Sequence, residues 1–149
     1  MKSMERMVID ASVGAKWIFE EESSAEALSL IEQAWNGQLK LLVPELFYVE
    51  VANICWQRMQ RKMSSYDYVS KMIDELARLP LEQYSDSELF DVAFDNATQF
   101  KISAYDAIYV SLAEIYVVPL VTADDMLIKT CKGRFDFILP LDEVKTVRI

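Results

Sequence analysis

A chain of 149 residues with 52% hydrophobic content has the apolar mass for one folded core, which excludes a disordered chain. Its zero histidines remove the Ser-His-Asp and Cys-His triads and the commonest soft-metal ligand, leaving carboxylates, hydroxyls and a hard cation for any hydrolytic chemistry. A net charge of -9 argues against a protein that grips nucleic acid mainly through a basic surface, although Mg²⁺ or Mn²⁺ in a carboxylate site would reverse the local sign.

The first residues, Met1 to Arg6, lack the apolar core and small-residue cleavage site of a signal peptide and run straight into an apolar strand, Met7-Val8-Ile9. Asp10 and Ser12 stand where that strand ends and a helix begins, with Val13, Trp17 and Ile18 on the helix, which is expected to run to Glu22. Ser23-Ser24-Ala25-Glu26 has the spacing of a capping box for a second helix that stops at Asn36-Gly37. Leu39 to Val43 is a second apolar strand, and Pro44 suits the first turn of a third helix from Glu45 to about Lys62. That helix is apolar in its first half, with Glu50, Asn53 and Gln57 on one polar line.

A fourth helix runs from Ser64-Ser65 to Leu79-Pro80, followed by a short strand at Leu81 to Tyr84. Ser85-Asp86-Ser87-Glu88 reads as another capping box, opening a fifth helix through Phe100. Ser103-Ala104-Tyr105-Asp106 opens a sixth, closed before Pro119. Leu120-Val121-Thr122 is a strand, Ala123-Asp124-Asp125 starts a brief helix to about Lys132, and Phe135 to Leu139 makes the last strand before a charged tail, Asp142 to Arg148. Strands alternating with helices predict an α/β fold, a parallel twisted sheet of about four to five strands flanked by helices, in one domain over residues 1–149. The most apolar stretch, Ala107 to Ala123, is interrupted by Glu114 and Pro119, so a membrane span is not expected and the cytoplasm is the expected compartment. Cys55 and Cys131 read as free packing thiols.

Four acids, Asp10, Glu50, Asp106 and Asp124, stand where a strand ends or the following helix starts. In a parallel sheet these positions share the crevice beyond the carboxyl ends of the strands, where ligands bind. Converging carboxylates repel unless protonated or neutralised, and an oxygen-only donor set suits Mg²⁺ or Mn²⁺, which can activate water against a phosphodiester. Each acid also has an ordinary explanation: Asp10 and Ser12, or Asp124, as helix caps, Asp106 as a favourable first-turn charge, and Glu50 as the wet side of its helix.

The ordered set Val8-Ile9-Asp10-Ala11-Ser12, Pro44-Glu45 with Glu50 and Asn53, Tyr105-Asp106-Ala107-Ile108-Tyr109 with Leu112-Ala113, and Leu120-Val121-Thr122-Ala123-Asp124 resembles the PIN-domain family. The resemblance is greatest to the single-domain VapC-type ribonuclease toxins of toxin-antitoxin modules. It implies a metal pocket of Asp10, Glu50, Asp106 and Asp124 supported by Ser12 and Thr122, with Asn53 orienting Glu50 and Asp125 acting through water. It also implies a Mg²⁺- or Mn²⁺-dependent endoribonuclease, a homodimer, and a small antitoxin partner.

Other readings compete with it. A haloacid-dehalogenase-type phosphatase would want a second Asp at the position of Ser12, and a receiver domain an acidic pair at the first strand end. A non-catalytic interaction module would use Trp17, Trp35, Tyr48 or Trp56 as a partner surface, although aromatics at helical spacing are more often core. An RNA-processing nuclease unrelated to toxin action is a further alternative. Lys40, Arg58, Arg61 and Lys62 are either a local basic patch or solvated charges.

Overall fold

The computed structural model describes residues 4–144. In chain order the elements are β1 (Glu5–Ile9), α1 (Ala11–Ile18), α2 (Ser24–Trp35), β2 (Leu39–Pro44), α3 (Leu46–Gln60), α4 (Tyr66–Leu76) and β3 (Leu81–Tyr84). They continue with α5 (Asp86–Phe100), α6 (Ala104–Tyr116), β4 (Leu120–Thr122), α7 (Asp125–Cys131), β5 (Ile138–Pro140) and a 3₁₀ turn at Leu141–Glu143. The five strands form one parallel sheet in the order β3-β2-β1-β4-β5, flanked by helices.

The apolar runs form the central strands because both of their faces are covered. Val8, Ile9, Leu41, Leu42, Val43, Leu120 and Val121 are fully or almost fully buried. Each such side chain contributes about 1.5–3 kcal/mol from burial, so the centre of the sheet is also the centre of the core. Register then places the polar residues. Ile9 pairs with Val121, so the next residues on the two strands, Asp10 and Thr122, emerge side by side at the carboxyl edge. Pro44 pairs with Tyr84, and the Glu45 amide donates to the Tyr84 carbonyl at 2.9 Å, which fixes the start of α3 at the same edge.

One packing feature brings α3 close to α1. Gly14 faces Phe47 and Val51, and a Cβ at position 14 would lie 2.8 Å from Phe47 Cζ and 2.9 Å from Val51 Cγ2. The α1–α3 contact therefore depends on the missing side chain.

Several local expectations differ from the structure. The first helix ends at Ile18 rather than Glu22, because Phe19 is extended and Glu21 pairs with Lys16 at 3.2 Å and Arg58 at 2.7 Å. The Ser23 box does not form: Ser23 is left-handed (φ 67°), and Ser24 Oγ instead accepts from the Glu21 amide and donates to the Phe19 carbonyl. Nor does Ser85 cap α5 with its side chain; its hydroxyl meets Ser87 Oγ at 2.7 Å. Pro44 ends β2 instead of opening α3, and the last strand begins at Ile138, Phe135 being spent on ring contacts with Phe100 and Phe137. Trp17 is core, whereas Trp35 and Trp56 are exposed. Most of the charged tail, residues 145–149, lies outside the described residues.

Candidate active site

Asp10 is buried and immobilised from both sides. Its Oδ1 accepts from the Ser12 amide at 3.1 Å, the Val13 amide at 3.4 Å and Ser12 Oγ at 2.5 Å, while its Oδ2 accepts from Thr122 Oγ1 at 2.5 Å. The hydroxyls are themselves oriented: Ser12 Oγ accepts from the Ala123 amide at 2.9 Å, and Thr122 Oγ1 from the Asp124 amide at 3.0 Å. One carboxylate thus caps α1 and ties β1 to the end of β4. Burial pushes the Asp10 carboxyl up to about 6, its hydrogen bonds pull the other way, and the Asp124 charge adds to the rise.

Asp124 caps α7, its Oδ1 accepting from the Met126 and Leu127 amides at 3.0 and 3.2 Å. Capping and a place in the site are therefore compatible for both aspartates.

Glu50 lies one turn into α3, half-buried, and accepts a 2.6 Å bond from Tyr109 Oη. Its carboxyl is raised, first by burial and then by the charges of Asp106, Asp124 and Asp86, against the lowering effect of the Tyr109 bond. Asp106 sits in the first turn of α6, where Ser103 Oγ caps its amide at 3.1 Å; burial and then Asp124 raise its carboxyl. Asp124 is thus the common neighbour: Asp10, Glu50 and Asp106 each feel its charge, and Glu50 feels that of Asp106 as well.

The supporting residues divide. Ser12 and Thr122 hold Asp10, whereas Asn53 is exposed and the hydrogen bond to Glu50 comes from Tyr109. Asp125 is exposed and lines a cavity of about 400 Å³ with Lys16, Glu22, Thr122 and Asp142, beside the acids rather than among them.

Two further residues act on Glu50 that the sequence analysis quoted within motifs but gave no role beside the acids. Tyr109 is one: it lies three positions after Asp106, on the same face of α6, which is the signal that locates it. Asp86 is the other. Its Oδ1 accepts from the Leu46 amide at 3.2 Å and its amide donates to Glu45 Oε1 at 3.2 Å, so the starts of α3 and α5 cap each other. It stands two residues past the end of β3, as the first residue of α5, where Asp10 stands one residue past β1 as an N-cap.

The donor set fits a hard divalent cation: oxygen only, with the charged forms of Asp10, Glu50 and Asp106 disfavoured by burial and by neighbouring carboxylates. Among the described residues no three Asp, Glu or Cys side chains come together closely enough to hold a metal ion between them. An ion of the Mg²⁺ type needs only one or two direct carboxylates and keeps several waters, so an open arrangement of acids is compatible with it.

A family model for the PIN domain matches residues 7–133. The chain belongs to the PIN-domain family. Ribonuclease VapC3 of Pyrobaculum aerophilum is 34% identical to this PIN domain over 124 residues, which are 82% of this chain and 92% of that protein. In the crystal structure of PAE2754, also from Pyrobaculum aerophilum, the likeness is one of fold: TM-score 0.64 at 21% identity, covering 95% of this chain and 93% of that one.

Proposed function

We propose that this PIN domain is an endoribonuclease dependent on Mg²⁺ or Mn²⁺ and the toxin component of a type II toxin-antitoxin module. The observation that supports the reading is that Asp10, Glu50 and Asp106, from three separate segments, each feel the charge of Asp124, which follows the strand paired with β1. A relative named as a ribonuclease supports the same reading.

In this reading Asp10, Glu50, Asp106 and Asp124 would hold the ion, one or two of them directly and the others through its waters. Such an ion supplies an activated water and neutralises the charge that develops on the phosphodiester in hydrolysis. Ser12 and Thr122 fix Asp10 in one orientation, and Tyr109 fixes Glu50, so the acids do not have to reorganise when substrate arrives.

A small antitoxin partner, a homodimer and a cytoplasmic location belong to the same proposal. Trp35, Trp56, Val49 and Tyr66 are all more than half exposed, which suits a surface that a protein partner covers. No helix among the described residues is long and apolar enough to cross a membrane.

The test is cleavage of a structured RNA by the purified, antitoxin-free protein in Mg²⁺, in Mn²⁺ and in EDTA, with Asp10→Asn alongside. Cleavage that needs the metal and disappears in the variant supports the reading. A folded protein inactive in both metals, or equally active as Asp10→Asn, contradicts it and favours an interaction module in which Asp10 and Asp124 are only caps.

A further inference from the structure

We propose that the rim of the acid site formed by the ends of α5 and α7 is a track for single-stranded RNA, with Lys101, Lys132 and Arg134 meeting backbone phosphates and Tyr105 stacking a base beside Asp106. The proposal rests on the nuclease reading and adds how substrate reaches the acids.

The starting point is a conflict of charge. A chain of net charge -9 that acts on a polyanion needs cations close to its acids. Five of its described cations are badly placed for this. Lys40 sits near the start of β2, toward the edge opposite the site. Lys16 and Arg58 are committed to Glu21, the carboxylate of both ion pairs found among the described residues. Arg61 and Lys62 lie past the end of α3, roughly 16 Å along the helix from Glu50 at 1.5 Å per residue.

The α5–α6 corner is different. Arg134 Nη1 donates to the carbonyl of Phe100, the last residue of α5, at 2.7 Å, and its guanidinium lies 5.8 Å from the Phe100 ring centroid. Phe135 packs on Phe100 with centroids 4.6 Å apart, so the segment after α7 is locked to the end of α5. Lys101 follows Phe100 in a left-handed conformation (φ 56°) and turns the chain into α6, whose first turn carries Asp106. Lys132 follows Cys131, a buried thiol that feels both the negative field of Asp106 and the positive field of Arg134. Lys101, Lys132 and Arg134 are exposed.

Tyr105, four residues after Lys101 and next to Asp106 in sequence, is 62% exposed. An exposed ring among cations is the combination that binds unstacked bases of a single strand, the ring taking a base and the cations its phosphates.

The test measures binding of a short fluorescent single-stranded RNA by anisotropy in Ca²⁺, with RNA integrity checked afterwards. Arg134 also holds the α5 end, so the variants are Lys101→Glu with Lys132→Glu, and separately Tyr105→Ala. The double variant is expected to bind at least tenfold more weakly and to flatten the logarithmic salt dependence by about 1.4, at about 0.7 for each phosphate that is no longer neutralised. Tyr105→Ala is expected to weaken binding about tenfold. Mn²⁺ affinity by calorimetry should be unchanged in both. RNA affinity equal to wild type in both variants overturns the track while leaving the nuclease reading standing. Loss of Mn²⁺ affinity along with RNA affinity also overturns it, by assigning these residues to the structure of the acid site. A wild-type protein that neither binds nor cleaves RNA overturns the track and the nuclease reading together.

Discussion

Tyr109 Oη and Glu50 Oε1 are 2.6 Å apart, joining α6 to α3 across 59 residues of sequence. The bond points the Glu50 carboxylate toward the edge where Asp106 and Asp124 lie. Tyr109→Phe removes the donor and leaves the ring. Loss of a hydrogen bond to a charged, half-buried group is expected to destabilise the fold by about 1–3 kcal/mol, read from the denaturation midpoint. Mn²⁺ affinity is expected to fall roughly 10- to 100-fold, because the ligand loses its orienting partner. A Tyr109→Phe protein with wild-type Mn²⁺ affinity would show that Glu50 needs no such support.

Gly14 sets the spacing between the helix that follows Asp10 and the helix that carries Glu50. Gly14→Ala puts a methyl 2.8 Å from the ring of Phe47, which is fully buried. Overpacking of this kind is expected to destabilise by about 1–3 kcal/mol and to lower Mn²⁺ affinity as α3 shifts. Adding Phe47→Leu should restore part of both. Equal midpoints for wild type and Gly14→Ala would refute the account of this contact.

Much of this architecture is legible in the residues because its signals are local. The runs at Val8, Leu41 and Leu120 read as buried strands, and a parallel sheet then carries Asp10, Asp106 and Asp124 toward one edge without further information. What stays hidden is long-range. The Ser23 and Ser85 boxes match a local pattern that tertiary contacts override, one because Ser24 is drawn to Phe19 and Glu21, the other because the helix start is held by Glu45 from 41 residues away. The Tyr109 bond is hidden for the same reason: a phenol in an apolar helix looks like core until its partner is known. Asp10 does cap its helix, through Oδ1, while the same carboxylate reaches Thr122 through Oδ2, a contact 112 residues away that no local pattern announces.

The Asp10 carboxyl, pushed up to about 6 from an ordinary 3.8, gives the metal-free protein a defined pH response. The folded state holds this proton more tightly than the unfolded chain, so the associated stability is full below about 3.8 and is lost as pH rises through about 6. The loss amounts to about 3 kcal/mol at 1.36 kcal/mol for each tenfold change in proton affinity. In EDTA, Asp10→Asn should therefore melt higher than wild type at pH 7, and the gap should shrink toward pH 4. A variant that melts lower throughout would mean that the cap outweighs the burial of charge.

Val117 ends α6 in a left-handed conformation (φ 55°) and is 88% exposed. A β-branched residue is strained there and gains nothing from packing. Val117→Gly is expected to stabilise the protein by about 1 kcal/mol, raising the melting midpoint without changing Mn²⁺ affinity. A lower midpoint would show that the valine side chain is held by contacts worth more than the strain.

The most direct test of the acid pocket is titration calorimetry of Mn²⁺ into the wild-type protein, Asp10→Asn and Asp106→Asn, each shown to be folded by circular dichroism. Saturable binding in the wild type, lost or strongly weakened in both variants, is the predicted result. Folded variants that bind Mn²⁺ as the wild type does, or a wild type that binds none, would contradict it and return Asp10 and Asp124 to the role of helix caps.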